Sequence, residues 1–212
     1  MDPDKIALRP FLISVAGLFF IETAAELISR TGFMPSVVLT AAARISEILF
    51  FLYVFHLSSD GLSSIGLARH QLIPGLKSGL IWSAAFGTIV MIGAGLLFLS
   101  GRNPLKLIHT DIPRHFGEMI FFFFVAGLIG PIAEEIFFRG ILYGFLRRSG
   151  MFAAMFLSSL LFVIAHPSAG LTQTVGGILF AAAYESQGKL MVPLTIHILG
   201  NTAIFAVSFY VR

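Results

Sequence analysis

Apolar runs of roughly membrane-spanning length follow one another along the whole chain, several of them short of a full span, and this pattern limits the fold more than any single motif does. A spanning helix needs about 20 mostly apolar residues. On that ruler, spans are expected near 9–29, 34–57, 75–100, 115–130, 131–149, 151–166, 171–187 and 190–210. Helix breakers mark the divisions: Pro35, Pro74 with Gly75, SGRNP at 100–104, Gly130 with Pro131, HPSAG at 166–170 and SQGK at 186–189. Alternating strand segments of about ten residues, the mark of a membrane barrel, are not seen. Lipid tolerates only helices or closed barrels, because backbone polar groups must be satisfied internally. The expected fold is therefore all-α, a polytopic membrane helix bundle of about eight transmembrane helices around a polar cavity, in a single integral membrane domain over 1–212.

Composition agrees with that reading. Of 212 residues, 57% are hydrophobic and 12% charged, whereas soluble domains carry about 25% charged residues. The net charge of +3 comes from Lys and Arg scattered between apolar runs, a poor electrostatic footprint for nucleic acid. Cysteine is absent, which excludes disulfides, thiolate metal sites and a cysteine nucleophile. The run from Phe11 to Ile21 follows Lys5 and Arg9 as a signal-peptide core would. The expectation is a retained first span. Lys and Arg divide almost evenly between the two sides of an eight-span chain, so charge does not orient it.

Against this background the stretch GPIAEEIFFRG, at 130–140, is unusual. A charged side chain at the bilayer centre costs at least about 2.5–3.5 kcal/mol, so such residues face a cavity or a partner and mark function. Adjacent helical residues point about 100° apart, so Glu134 and Glu135 should have different jobs. Arg139 follows Glu135 by four residues on one face, where pairing offsets burial. Glu134 has no such local partner and is the candidate base, with Glu135 and Arg139 as scaffold. Two histidines lie downstream: His166, with Phe162 one turn before it, and His197, with Asn201 one turn after it. Burying these groups singly is costly, so a shared polar site is expected.

Such a set is sufficient to hydrolyse an amide. A carboxylate and an imidazole can hold and deprotonate water, while a second imidazole and a carboxamide donate to the developing oxyanion. HExxH, GxSxG and paired membrane aspartates are absent. Glu134, His166 and His197 could also bind zinc, with water as the fourth ligand. Residue types alone leave metal assistance open.

Taken together, EEIFFR, FVIAH and HILGN resemble the EExxxR, FxxxH and HxxxN motifs of the CPBP membrane proteases, the group that includes the type II CAAX prenyl endopeptidases and many bacterial relatives. Flanking phrases such as RGILYGFL and GGILFAAAYESQGKLMVPLTIH resemble that family too, so the likeness covers roughly 115–205, with 1–110 as N-terminal helices of unassigned role. The resemblance implies an intramembrane endopeptidase in a prokaryotic cell membrane, acting near the C-terminus of a membrane-associated protein or peptide. It implies Glu134 and His166 as the water-activating pair and His197 with Asn201 as the oxyanion pair. Glu135, Arg139 and Phe162 take supporting positions. A metal-independent, glutamate-dependent reaction is favoured over a zinc one. The substrate could be a prenylated CAAX protein, a bacterial C-terminal sorting signal or a bacteriocin precursor. A noncatalytic scaffold and a proton-coupled transporter are the alternatives from other classes. Neither a degenerate motif nor two similar halves with broken helices supports them.

The first 110 residues carry their own charges, Glu22 and Glu26 on the first span and Arg44 and Glu47 on the second. Mutual neutralisation is the expected role, with contact to a substrate tail as the other. Trp82, Tyr53 and the run from Phe121 to Phe124 are expected to pack in the core or against lipid.

Overall fold

The structure is a computed structural model that describes residues 6–59, 61–107, 110, 112–166 and 170–210. It is all-helical, with no strand among the described residues. Seven long helical segments carry the fold: α1 (Leu8–Arg30), α2 (Ser36–Leu57), α3 (Arg69–Leu99), α4 (Phe116–Ser149), α5 (Met151–Ile164), α6 (Leu171–Gln187) and α7 (Met191–Tyr210). Five of them, α1, α2, α3, α4 and α7, are long and apolar enough to cross a membrane. The protein is an integral multi-pass membrane protein.

The expected eight spans are thus corrected to seven segments. The reason lies at Gly130 and Pro131, which do not end a helix. Around them the backbone widens from α- to π-helical pairing, over Val125–Ile129 and again over Ile136–Tyr143. Proline is tolerated inside membrane helices where such local adjustments re-satisfy the freed groups. The two expected spans at 115–130 and 131–149 become the single helix α4. Pro74 and Gly75 likewise lie inside α3, which starts at Arg69 rather than near 75. At about 1.5 Å per residue, α5 and α6 reach only about 21–26 Å, short of the roughly 30 Å hydrocarbon core.

Packing places α4 at the centre. Ile136, Arg139, Gly140, Ile141, Leu142 and Tyr143 are all buried, so this part of α4 is enclosed on every side. Antiparallel pairs α1–α2 and α5–α6 flank it, and α3 packs along α7. That last contact depends on two glycines four residues apart. A Cβ on Gly75 would come within 2.7 Å of the Met191 Cβ, and one on Gly79 within 2.6 Å of the Thr195 Cβ. Small residues at this spacing let helix backbones approach, and here they seat the segment of α7 that leads into His197. At the adjoining end, Gly66 (φ 79°) touches the turn at Gly188, and its carbonyl accepts from Leu190 N at 3.1 Å.

Candidate active site

Three helices bring four polar side chains together. Glu134 and Glu135 stand midway along α4, His166 follows the end of α5, and His197 is on α7. Their 100° offset aims the two glutamates at opposite nitrogens of one ring. His197 Nδ1 is 2.8 Å from Glu135 Oε1, and His197 Nε2 is 3.7 Å from Glu134 Oε2. The same Glu134 oxygen lies 3.6 Å from His166 Nε2. Both longer distances exceed hydrogen-bond range, and Glu134 Oε2 is buried without a hydrogen-bond partner.

The tautomers follow from the partners. His166 Nδ1 meets the Phe162 carbonyl at 2.7 Å. A carbonyl only accepts, so Nδ1 carries the hydrogen. Glu135 Oε1 is also 3.2 Å from Arg139 Nη1, and both side chains are fully buried. A carboxylate oxygen that faces a guanidinium serves as acceptor, so His197 Nδ1 donates to it. In their neutral forms, both rings then present Nε2 lone pairs toward the Glu134 carboxylate. Three converging acceptors repel one another unless they share a hydrogen donor, such as water or an added proton.

Aromatic rings fix this arrangement. Phe162 packs on His166 (centroids 4.5 Å apart), and Phe180 stacks on His197 at 4.6 Å and 22°. Arg139 is caged over Phe162 at 4.3 Å and Phe180 at 5.1 Å, and its Nη2 donates to the Gly177 carbonyl at 3.3 Å. Asn201, one turn after His197, donates through Nδ2 to the Ala126 carbonyl at 3.0 Å. That acceptor identifies the amide end, since only the NH₂ group can donate. The side chains of His166 and Glu134 are 25% and 20% exposed, against 7% for His197, so the site opens on the His166 side.

Several of these partners carry no motif signal. Phe180 and Gly177 lie in the GGILF phrase at helical spacing, which identifies a packed face but not its target. The Ala126 and Gly177 contacts use backbone carbonyls, which are invisible to residue type. Arg44 is a further case. Its Nη1 bonds Glu22 Oε1 at 2.9 Å and Glu47 Oε2 at 2.6 Å, joining α1 to α2. A cavity of about 170 Å³ between α1 and α2 is lined by Glu22, Glu26, Ser29, Ser36, Thr40 and Arg44. Glu26 itself pairs with Arg30 at 3.0 Å.

Glu134, His166 and His197 offer the oxygen and nitrogen lone pairs that zinc takes. Among the described residues, however, no three His, Cys, Asp or Glu side chains are grouped so as to hold a metal ion. No step below passes through a metal.

Residues 116–203 match the family described as "Type II CAAX prenyl endopeptidase Rce1-like", a stretch that includes all four polar residues of the site. The match covers 88 of the 212 residues, and it is this stretch that is similar to that family. Two curated proteins are similar to the chain. The "Putative membrane peptidase YdiL" of Bacillus subtilis (strain 168) is 36% identical over 83 residues, covering 38% of this chain and 34% of its own length. The "Membrane-embedded CAAX protease MroQ" of Staphylococcus aureus (strain USA300) is 36% identical over 122 residues, 53% of this chain and 47% of its own length. The matches therefore span less than half of either relative. No solved structure matches the chain at a significant level.

Proposed function

We propose that the protein is an intramembrane endopeptidase that hydrolyses a peptide bond near the C-terminus of a membrane-associated protein or peptide. The supporting observation is the meeting of two imidazoles from different helices at one unpartnered oxygen of Glu134, at 3.6 and 3.7 Å. A water there donates its hydrogens to Glu134 Oε2 and His166 Nε2, and its oxygen is left free to attack. One water proton passes to this pair as the oxygen bonds to the carbonyl carbon and the carbonyl oxygen becomes an oxyanion. Asn201 keeps one N–H beyond the bond to Ala126, and this donates to the oxyanion. His197 joins it through Nε2, the ring having taken a second proton from solvent before the attack and keeping it through the turnover, with Glu135 stabilising the cation. Collapse of the intermediate breaks the C–N bond, and the proton held by Glu134 and His166 goes to the leaving amine.

The family description and the name of MroQ favour a prenylated CAAX protein as substrate. A C-terminal sorting signal with its own membrane helix is the other substrate class. The test offers both substrates, as internally quenched reporters in detergent micelles, to the wild type, Glu134→Gln and His166→Ala. Cleavage of one reporter by the wild type, with loss of at least about 10²-fold in each variant at unchanged thermal stability, is expected. Full activity in either variant ends this mechanism. Proton-coupled uptake in proteoliposomes without any peptidase activity would favour a transporter instead.

A further inference from the structure

The widened turn in α4 has a consequence for Asn201. In an α-helix the Ala126 carbonyl would accept from the N–H of residue 130, and in a π-helix from that of residue 131. Gly130 N–H is committed elsewhere, to the Val125 carbonyl in the π register. Residue 131 is proline and has no N–H. The Ala126 carbonyl is thus left without a helical donor in either register, and Asn201 Nδ2 occupies it at 3.0 Å from the opposite helix.

We propose that Pro131 is a positioning residue for Asn201: by withholding an N–H, it reserves the Ala126 carbonyl to anchor the Asn201 carboxamide. Anchoring uses one amide hydrogen and points the other, which rests on the reading of Asn201 as an oxyanion donor. A proline at this place is costly for a helix interior and contributes no polar atom to the site. Its usefulness lies in the bond it leaves unmade. Replacing Pro131 by alanine supplies an N–H that closes the helical ladder onto Ala126 and competes with Asn201.

The test is a double-mutant cycle on the full chain in detergent, with the wild type, Pro131→Ala, Asn201→Ala and the double variant. Thermal unfolding needs no substrate and reads the anchoring bond alone. Asn201→Ala is expected to lower Tm by about 2–4 °C in the wild-type background and by less than about 1 °C with Pro131→Ala, where the carbonyl is already satisfied. Equal losses in both backgrounds overturn the proposal. Cleavage of whichever quenched reporter the wild type cuts reads the positioning. Pro131→Ala should lower kcat about tenfold with KM unchanged and change it less than about twofold when Asn201 is already alanine. An unchanged kcat in Pro131→Ala, or the same loss in both backgrounds, also overturns the proposal. If Asn201→Ala itself cleaves at the wild-type rate, the oxyanion role of Asn201 fails, whatever the unfolding cycle gives. Should Pro131→Ala not fold, Pro131→Ser restores the same N–H and takes its place.

Discussion

Glu135 holds His197 by its Nδ1 at 2.8 Å, while the neighbouring Glu134 faces the other nitrogen of the same ring. Adjacent acids therefore divide one imidazole, and the carboxylate paired with Arg139 fixes which nitrogen is protonated. If that hold serves catalysis, Glu135→Gln should lower kcat by about 10²–10⁴-fold, as loss of a tautomer-fixing carboxylate does elsewhere. It should also destabilise the fold, because Arg139 is left buried without its counter-charge. The double variant Glu135→Leu/Arg139→Met removes both charges and should regain much of the lost Tm without regaining activity. An active double variant would reduce Glu135 to a partner for Arg139.

Gly79 sets how closely α3 lies against α7, and α7 carries His197. A leucine there must push against Thr195, an overpacking worth about 1–3 kcal/mol or more. Gly79→Leu should lower both Tm and cleavage, whereas Gly87→Leu, with nothing within 4 Å of its Cβ, should change neither. Thermal unfolding of the two variants in the same detergent decides the matter.

Hydropathy alone was enough to read the membrane class and the approximate course of α1, α2 and α7, because each is bounded by polar turns. It misplaced the boundaries at Gly130–Pro131 and Pro74–Gly75, where breakers lie within helices. The register change around Pro131 leaves no mark in hydropathy, and Gly75 is explained by Met191, far along the chain. Glu134, Glu135, Arg139 and the two histidines stood out because charge or imidazole is conspicuous in an apolar chain. Ala126, Gly177 and Phe180 did not, since a backbone carbonyl or a phenyl ring in such a chain has no distinguishing chemistry. The cluster of Arg44 with Glu22 and Glu47 was legible as charges that neutralise one another, but not as one cation shared between acids on two helices.

The change from eight spans to seven segments bears on orientation. With α4 as one crossing, Arg147, Arg148 and Lys189 move to the side of Arg9, Arg69 and Lys77, leaving Arg30, Arg102, Lys106 and Arg114 opposite. The margin between the sides is no wider than in an eight-span chain, so charge alone does not orient it; with the richer side inside, the loop at 58–68 is expected in the cytoplasm and that at 101–114 outside. His166 follows the end of α5 that points away from Arg147 and Arg148, so the site should open toward the outer face. Reporter fusions in the two loops should give opposite readouts, cytoplasmic in the first and external in the second. The reverse pattern would turn the opening toward the cytoplasm.

Metal dependence separates the two chemistries that a glutamate and two histidines can perform. Glu134, His166 and His197 already have what proton transfer needs, since each ring is fixed by its Nδ1 partner and both Nε2 atoms face one carboxylate oxygen. A resident zinc would instead be held by the same Glu134 oxygen and Nε2 atoms and would supply Lewis-acid activation of water in place of this sharing of a proton. Exhaustive dialysis of the purified protein against a chelator, followed by assay in metal-free buffer, should therefore leave kcat within about twofold of its starting value. Loss of activity that returns on adding stoichiometric zinc would assign the same three residues to a metal and withdraw Glu134 as the base.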